Sequence, residues 1–229
     1  MKKLFIMVAF ALLPILAEAQ TARRNASLCP DDNHPHIIDL GLPSGTKWAC
    51  CNVGSSKPED YGGYFAWGET STKGTYNWST YRWCYGDYNK LTKYNNDSSY
   101  GTVDNRTRLE LFDDAARANW HDSWRMPTIA ELEELNVNCS YEWTTVNGVK
   151  GGKFTSRSTG CSIFLPAAGW LDGTSLSSRG KGGYYWSSSL NELYPFYARS
   201  LDFRSGGART YYSYFLRNIG RSVRPVLRD

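Results

Sequence analysis

The sequence predicts an α+β domain, with strands at both ends of the folded region and two helices between them. Short apolar runs punctuated by glycine and proline fill 37–54 and 141–226, the pattern of strands joined by tight turns. Helical spacing of apolar residues is confined to the middle, over 104–119 and 128–136,. No repeat, linker or low-complexity block divides the chain, so one domain is expected over 37–229.

The elements follow in order. Lys2 and Lys3 precede an apolar run from Leu4 to Leu16, and Ala17-Glu18-Ala19 fits a small-x-small cleavage pattern. Residues 1–19 therefore read as a signal peptide with a mature start at Gln20. The run is shorter than the ~20 residues that cross a bilayer. Lipidation would need a cysteine directly after it, and Cys29 lies too far on. Residues 20–36 are polar and read as a flexible N-terminus, with His34-Pro35-His36 part of that segment rather than a metal site. Ile37 to Gly54 carries short strands and turns. Residues 61–101 have no helical period and read as strands and long ordered loops; Trp67, Trp78, Trp83 and Tyr85 fill a loop-rich core, with sugar-stacking platforms as the alternative,.

The first expected helix, Asp104 to Asn119, places Leu109, Phe112, Ala116 and Asn119 at helical spacing with Asp104 as its N-cap,. The second runs from Thr128 to Asn136. Pro127 sets the turn before it, Thr128 caps it, and Glu131 three residues on completes a capping box,. Leu132 and Leu135 face the core. Asp113, Asp114, Glu131, Glu133 and Glu134 fit helix surfaces and first-turn dipole complementation better than an acid/base pair. Asn147-Gly148 between β-prone runs signals a hairpin. Cys161 to Leu165 is a buried strand ended by Pro166, and 169–183 reads as a Gly/Ser-rich loop.

Composition narrows function. A 41% hydrophobic and 15% aromatic content supplies core material for 229 residues. Net charge is +4, falling to +3 once Lys2, Lys3 and Glu18 leave with the leader. That balance, with no basic helix or Lys/Arg run, excludes a nucleic-acid partner. Six cysteines in an exported chain suggest disulfides,. Cys139 with Cys161, flanking one β region, is the pairing expected among the 15 full sets that six cysteines allow. No C-x-x-C pair supports zinc, and no metal or cofactor is expected.

The stretch from Gly183 to Val226 stands apart. Between Tyr184-Tyr185-Trp186 and the final apolar run it is dominated by Tyr, Ser, Gly and Arg, a composition suited to contact surfaces because tyrosine supplies area at low entropic cost. Alternation from Tyr197 to Phe203 puts Leu201 and Phe203 on a core face. No Ser/His/Asp arrangement accompanies it. His121, the only histidine in the folded region, sits at a helix end and reads as structural or surface.

Several motifs resemble one family. Trp124-Arg125-Met126-Pro127-Thr128 followed by Glu131-Leu132, Ile163 to Gly169, Tyr185-Trp186-Ser187-Ser188 and Gly220 to Val226, together with Asp39 to Gly45 and Tyr64 to Glu69, look like the Fibrobacter succinogenes major paralogous domain. That family is related to the C-type lectin fold, to formylglycine-generating enzymes and to retroelement-diversified variable proteins. The resemblance covers about 37–226. It implies a C-type lectin-like fold, two helices packed on small antiparallel sheets with long ordered loops. It also implies a ligand surface on 191–217: Asn191, Glu192, Tyr194, Phe196, Arg199, Arg204, Arg209, Tyr211, Tyr212, Tyr214 and Arg217. The Glu-Pro-Asn, Gln-Pro-Asp and Trp-Asn-Asp motifs of calcium-dependent lectins are absent, and no cysteine follows Cys161 to supply the oxidase pair of formylglycine-generating enzymes. The function expected is a secreted, periplasmic or cell-surface module, not an enzyme and not membrane-spanning, that recognises an extracellular protein or glycan. A formylglycine-generating-type enzyme and a structural envelope or adhesin subunit are the alternatives.

Overall fold

The computed structural model describes residues 35–120, 123–210 and 214–227. The expected leader, residues 20–34 with Cys29 and His34, and also His121, Tyr211 and Tyr212, lie outside the described residues. In chain order the elements are β1 (Ile37–Asp39), β2 (Lys47–Ala49), α1 (Ala115–Trp120), α2 (Ile129–Asn138), β3 (Cys139–Val146), β4 (Val149–Ser156), β5 (Ser162–Pro166), β6 (Trp170–Asp172), β7 (Ser175–Ser177), β8 (Gly182–Leu190), β9 (Tyr197–Arg204), β10 (Gly207–Arg209), β11 (Tyr214–Leu216) and β12 (Val226–Leu227). All strand pairings are antiparallel. One sheet joins β1, β2 and β12, so the two ends of the described chain meet. A second is the meander β3-β4-β5, and a third the hairpin β6-β7. In the fourth, β9 lies between β8 on one edge and both β10 and β11 on the other.

The α+β expectation is corrected here. Among the described residues strands dominate, in several small antiparallel sheets, and the α-helices amount to one of 6 and one of 10 residues. The first helix is much shorter than its periodicity suggested. Asp104 does not cap it, because its carboxylate accepts the N–H groups of Tyr94, Asn95 and Arg106 and ties its own segment to the 94–95 loop. The cap is Asp114, which accepts from Ala116 and Arg117 at 2.9 and 3.0 Å. Upstream only a 3-10 turn forms, over Leu111–Asp113, and Phe112 is 91% exposed rather than core-facing. Residues 169–183 are likewise not a loop, since the β6-β7 hairpin occupies them.

Other expectations hold. The Thr128/Glu131 capping box opens α2, and Leu132 and Leu135 are fully buried beneath it. Asn147 (φ 47) and Gly148 (φ 83) turn β3 into β4, the left-handed pair that a tight hairpin needs,. Asp113, Asp114 and Glu131 are buried, however, not on helix surfaces. Burial works against the charge of Glu131, yet the forked guanidinium of Arg125, the Thr128 N–H and the Thr46 hydroxyl hold its carboxyl down at about 2.

In the fourth sheet, β8 and the 200–203 part of β9 are buried on both faces. Leu201 and Phe203 sit in the core as expected, with the Phe203 ring stacked on Tyr185 at 5.8 Å. Gly183 makes room for that ring, because a Cβ there would fall 2.0 Å from it. On the opposite face Asp202 and Ser200 receive Arg221, which is fully buried and pairs with Asp202 at 3.0 Å. Arg224 threads between sheets and donates to the carbonyls of Ala49, Cys50 and Phe164. The arginines of the Gly220–Val226 motif are thus framework. Among the described residues no helix is long and apolar enough to cross a membrane.

Candidate functional site

The structure divides the residues expected to touch a ligand into three groups. Arg217 leaves the surface entirely. It is fully buried, donates to the Tyr81 hydroxyl and to the carbonyls of Lys93, Tyr94 and Pro195, and lies 4.9 Å from the Trp67 ring centroid. A guanidinium has five donors, and this one makes four hydrogen bonds that tie the 81–95 loop and the Pro195 turn to the C-terminal strands. Arg204 and Arg209 stay exposed, but they belong to the far end of β9 and to β10. There they share a shallow cleft of about 390 Å³ with Asp202 and Ser205. Arg204 also donates to the Tyr184 hydroxyl at 3.0 Å. Seven residues of strand separate Arg204 from Tyr197, about 23 Å, so one small ligand does not reach both ends.

The third group comes together. Asn191, Glu192, Tyr194, Arg199 and Tyr214 line a cleft of about 420 Å³ with Thr107, Arg108, Ile129, Ser189, Leu190 and Leu193. Asn191 is itself buried and acts as a turn former, its side-chain oxygen accepting from the N–H groups of Leu193 and Tyr194. That turn carries Leu193 and Tyr194 outward, to 81% and 46% exposure. Arg199 and Tyr214 face each other across the β9-β11 ladder.

From this cleft an aromatic strip runs across the molecule. Tyr214 contacts Tyr197 (ring centroids 5.2 Å), Tyr197 contacts Phe196 (4.5 Å) and Tyr194 (6.3 Å), and Phe196 meets Tyr100 (5.0 Å) and Tyr88 (5.4 Å). Tyr88 then reaches Trp78 at 6.4 Å. All seven rings are part-buried or exposed. Tyr88, Tyr100 and Tyr197 were not singled out from the sequence, and no spacing signal joins residues a hundred positions apart. Of the four aromatic side chains weighed as platforms, only Trp78 joins the strip. Trp67 is core, Trp83 is part-buried with its indole N–H on the Gly68 carbonyl, and Tyr85 is 79% exposed elsewhere.

Charge in the cleft is unevenly matched. Arg199 reaches Glu133 at 3.5 Å. Arg108, which sequence reasoning also missed, is exposed and makes no side-chain hydrogen bond or ion pair with the described residues. It also borders a neighbouring cleft of about 440 Å³ lined by Ser44, Arg125, Thr128, Ala130, Glu131 and Glu134. There Glu131 is taken by Arg125 and Glu134 accepts from the Ser44 N–H and hydroxyl. No cysteine lines either cleft. The expected Cys139–Cys161 bridge is absent: Cys139 is a buried free thiol, pushed up to about 11 by that burial, and Cys161 is an exposed free thiol. Among the described residues no three His, Cys, Asp or Glu side chains cluster to hold a metal.

Residues 142–226 match the family model described as a domain of unknown function (DUF8237). The matched segment contains β8 to β11 and hence Tyr194, Phe196, Tyr197, Arg199 and Tyr214, while Trp78, Tyr88, Tyr100 and Arg108 come from outside it. No curated protein and no solved structure matches the chain. The C-type lectin-like fold expected from the motifs thus has no matching structure, and the strand-dominated architecture takes its place.

Proposed function

We propose that the protein is an exported, non-catalytic binding module that takes an extracellular glycan along the Trp78–Tyr214 strip. The observation that carries this reading is the continuity of seven rings, five part-buried and two exposed, leading into a cleft. The negative π face of an aromatic ring attracts the weakly positive C–H face of a pyranose. Rings already locked by neighbours lose little entropy on binding. Glu192 and Arg199 at one end, and the tyrosine hydroxyls along it, offer polar partners for sugar hydroxyls. The leader supports export,. A protein ligand is less well served, since among the strip and cleft residues the exposed aliphatic surface is mainly Leu193.

The test is an array of glycans and extracellular proteins probed with the mature chain and with a Tyr88→Ala/Tyr194→Ala/Tyr214→Ala variant. Wild type should be retained on glycan spots and the triple variant should lose that retention, with Tm within a few degrees. Retention of the triple variant at wild-type levels, or capture on protein spots alone, rejects the reading.

A further inference from the structure

We infer that the cleft at the Tyr194–Tyr214 end of the strip is a subsite for the carboxylate of an acidic sugar residue, with Arg108 as its principal contact. This rests on the glycan reading of the strip. Arg108 differs from the neighbouring arginines. Arg106 meets Asp104 and Glu110, Arg125 forks onto Glu131, and Arg199 reaches Glu133. Arg108 has no such partner among the described residues, although it borders both of the adjoining clefts. Its backbone pairs with Ser189, whose hydroxyl in turn accepts the Ile129 N–H at 3.1 Å. The Arg108 backbone is therefore anchored beside the first turn of α2.

A second arginine also favours a negative charge there. Arg199 is loosely engaged: its side chain is 28% exposed and its Nη2 contact with Glu133 is long at 3.5 Å. A guanidinium binds carboxylate most strongly through two parallel hydrogen bonds. Ile129, at the start of α2, forms part of the cleft wall, but the dipole of that end is already complemented by Glu131 in its first turn,. Opposing charges are Glu192, exposed in the cleft, and Glu133 against Arg199, part-buried with its side chain 45% exposed, so both are screened by solvent,. Glu131 and Glu134 next door are already engaged. Tyr194 and Tyr214 belong to both cleft and strip, so a saccharide chain lying on the rings has one residue delivered to Arg108. The volume of about 420 Å³ lies in the range of small-ligand clefts,.

Calorimetric titration with galacturonic-acid tetramer, its methyl ester and a tetraglutamate peptide tests this on the mature protein, on Arg108→Gln and on Arg108→Lys. The ester keeps the stacking surface and lacks the charge. Wild type should bind the acid at least tenfold more tightly than the ester, and the difference should shrink as salt rises. Arg108→Gln should remove most of that preference while leaving ester affinity within twofold, and Arg108→Lys should retain part of it. Equal affinity for acid and ester, no binding of either, an unchanged preference in Arg108→Gln, or peptide binding as tight as the acid overturns the inference. If Arg108→Gln keeps its preference while the tyrosine triple variant loses array retention, the subsite is wrong and the strip stands.

Discussion

Replacing Arg217 by methionine separates a framework residue from a ligand-contacting one. Methionine keeps most of the apolar stem in place and deletes the guanidinium. The loss removes hydrogen bonds of 2.9 Å to the Tyr81 hydroxyl, 2.9 Å to the Tyr94 carbonyl, 2.8 Å to the Pro195 carbonyl and 3.0 Å to the Lys93 carbonyl. Each buried acceptor left without a donor costs about 1–3 kcal/mol. Three carbonyls therefore cost roughly 3–9 kcal/mol, with entry of a water into the vacated space drawing the total to the lower end, about 3–4 kcal/mol. A domain of this size loses about 2–4 °C of Tm per kcal/mol, so a fall of about 10 °C is expected. Thermal unfolding followed by tryptophan fluorescence measures that fall and urea unfolding the free energy, with Arg209→Met as the control. Arg209 is exposed, and its replacement should change stability by less than about 0.5 kcal/mol. Matching midpoints for the two variants would refute the framework role. So would an Arg217→Met protein that unfolds like wild type yet no longer retains ligand.

Two other perturbations test the packing. The Glu131 carboxyl, held at about 2 against an ordinary 4.5, is depressed in the folded state; its contribution is present above pH 4.5 and disappears as pH falls towards 2. At about 1.4 kcal/mol per unit, roughly 3 kcal/mol is involved. Glu131→Gln should be less stable at pH 7 and should lose less stability than wild type across that window. Parallel acid profiles for the two proteins would show that the Arg125–Glu131 fork contributes nothing. Gly183→Ala sets a methyl 2.0 Å from the Phe203 ring and should cost about 2–3 kcal/mol by overpacking, partly recovered in a double variant with Phe203→Leu. A Gly183→Ala midpoint equal to wild type in urea would mean the ring is free to move.

Local grammar was readable from the chain. The Thr128/Glu131 capping box, the Asn147-Gly148 hairpin and the core positions Leu132, Leu135, Leu201 and Phe203 depend on neighbours a few residues away or on simple alternation. The Asp104–Asn119 helix failed because a competing partner lay elsewhere. Its intended cap is more fully satisfied by the N–H groups at 94 and 95 than by its own first turn.

What the sequence by itself determined is the composition of the segment 191–217, which holds six of the cleft-lining side chains, and the aromatic and cationic chemistry they bring. Only the tertiary structure decided their roles. It sank Arg217 into the core, separated Arg204 and Arg209 from the rest along β9, and supplied Trp78, Tyr88, Tyr100 and Arg108 from the other half of the chain. The physical reason is that tyrosine and arginine serve equally well as core-spanning hydrogen-bond donors and as surface contacts. Composition cannot distinguish the two uses; the distance to the nearest unsatisfied carbonyl, set by packing across more than a hundred residues, does.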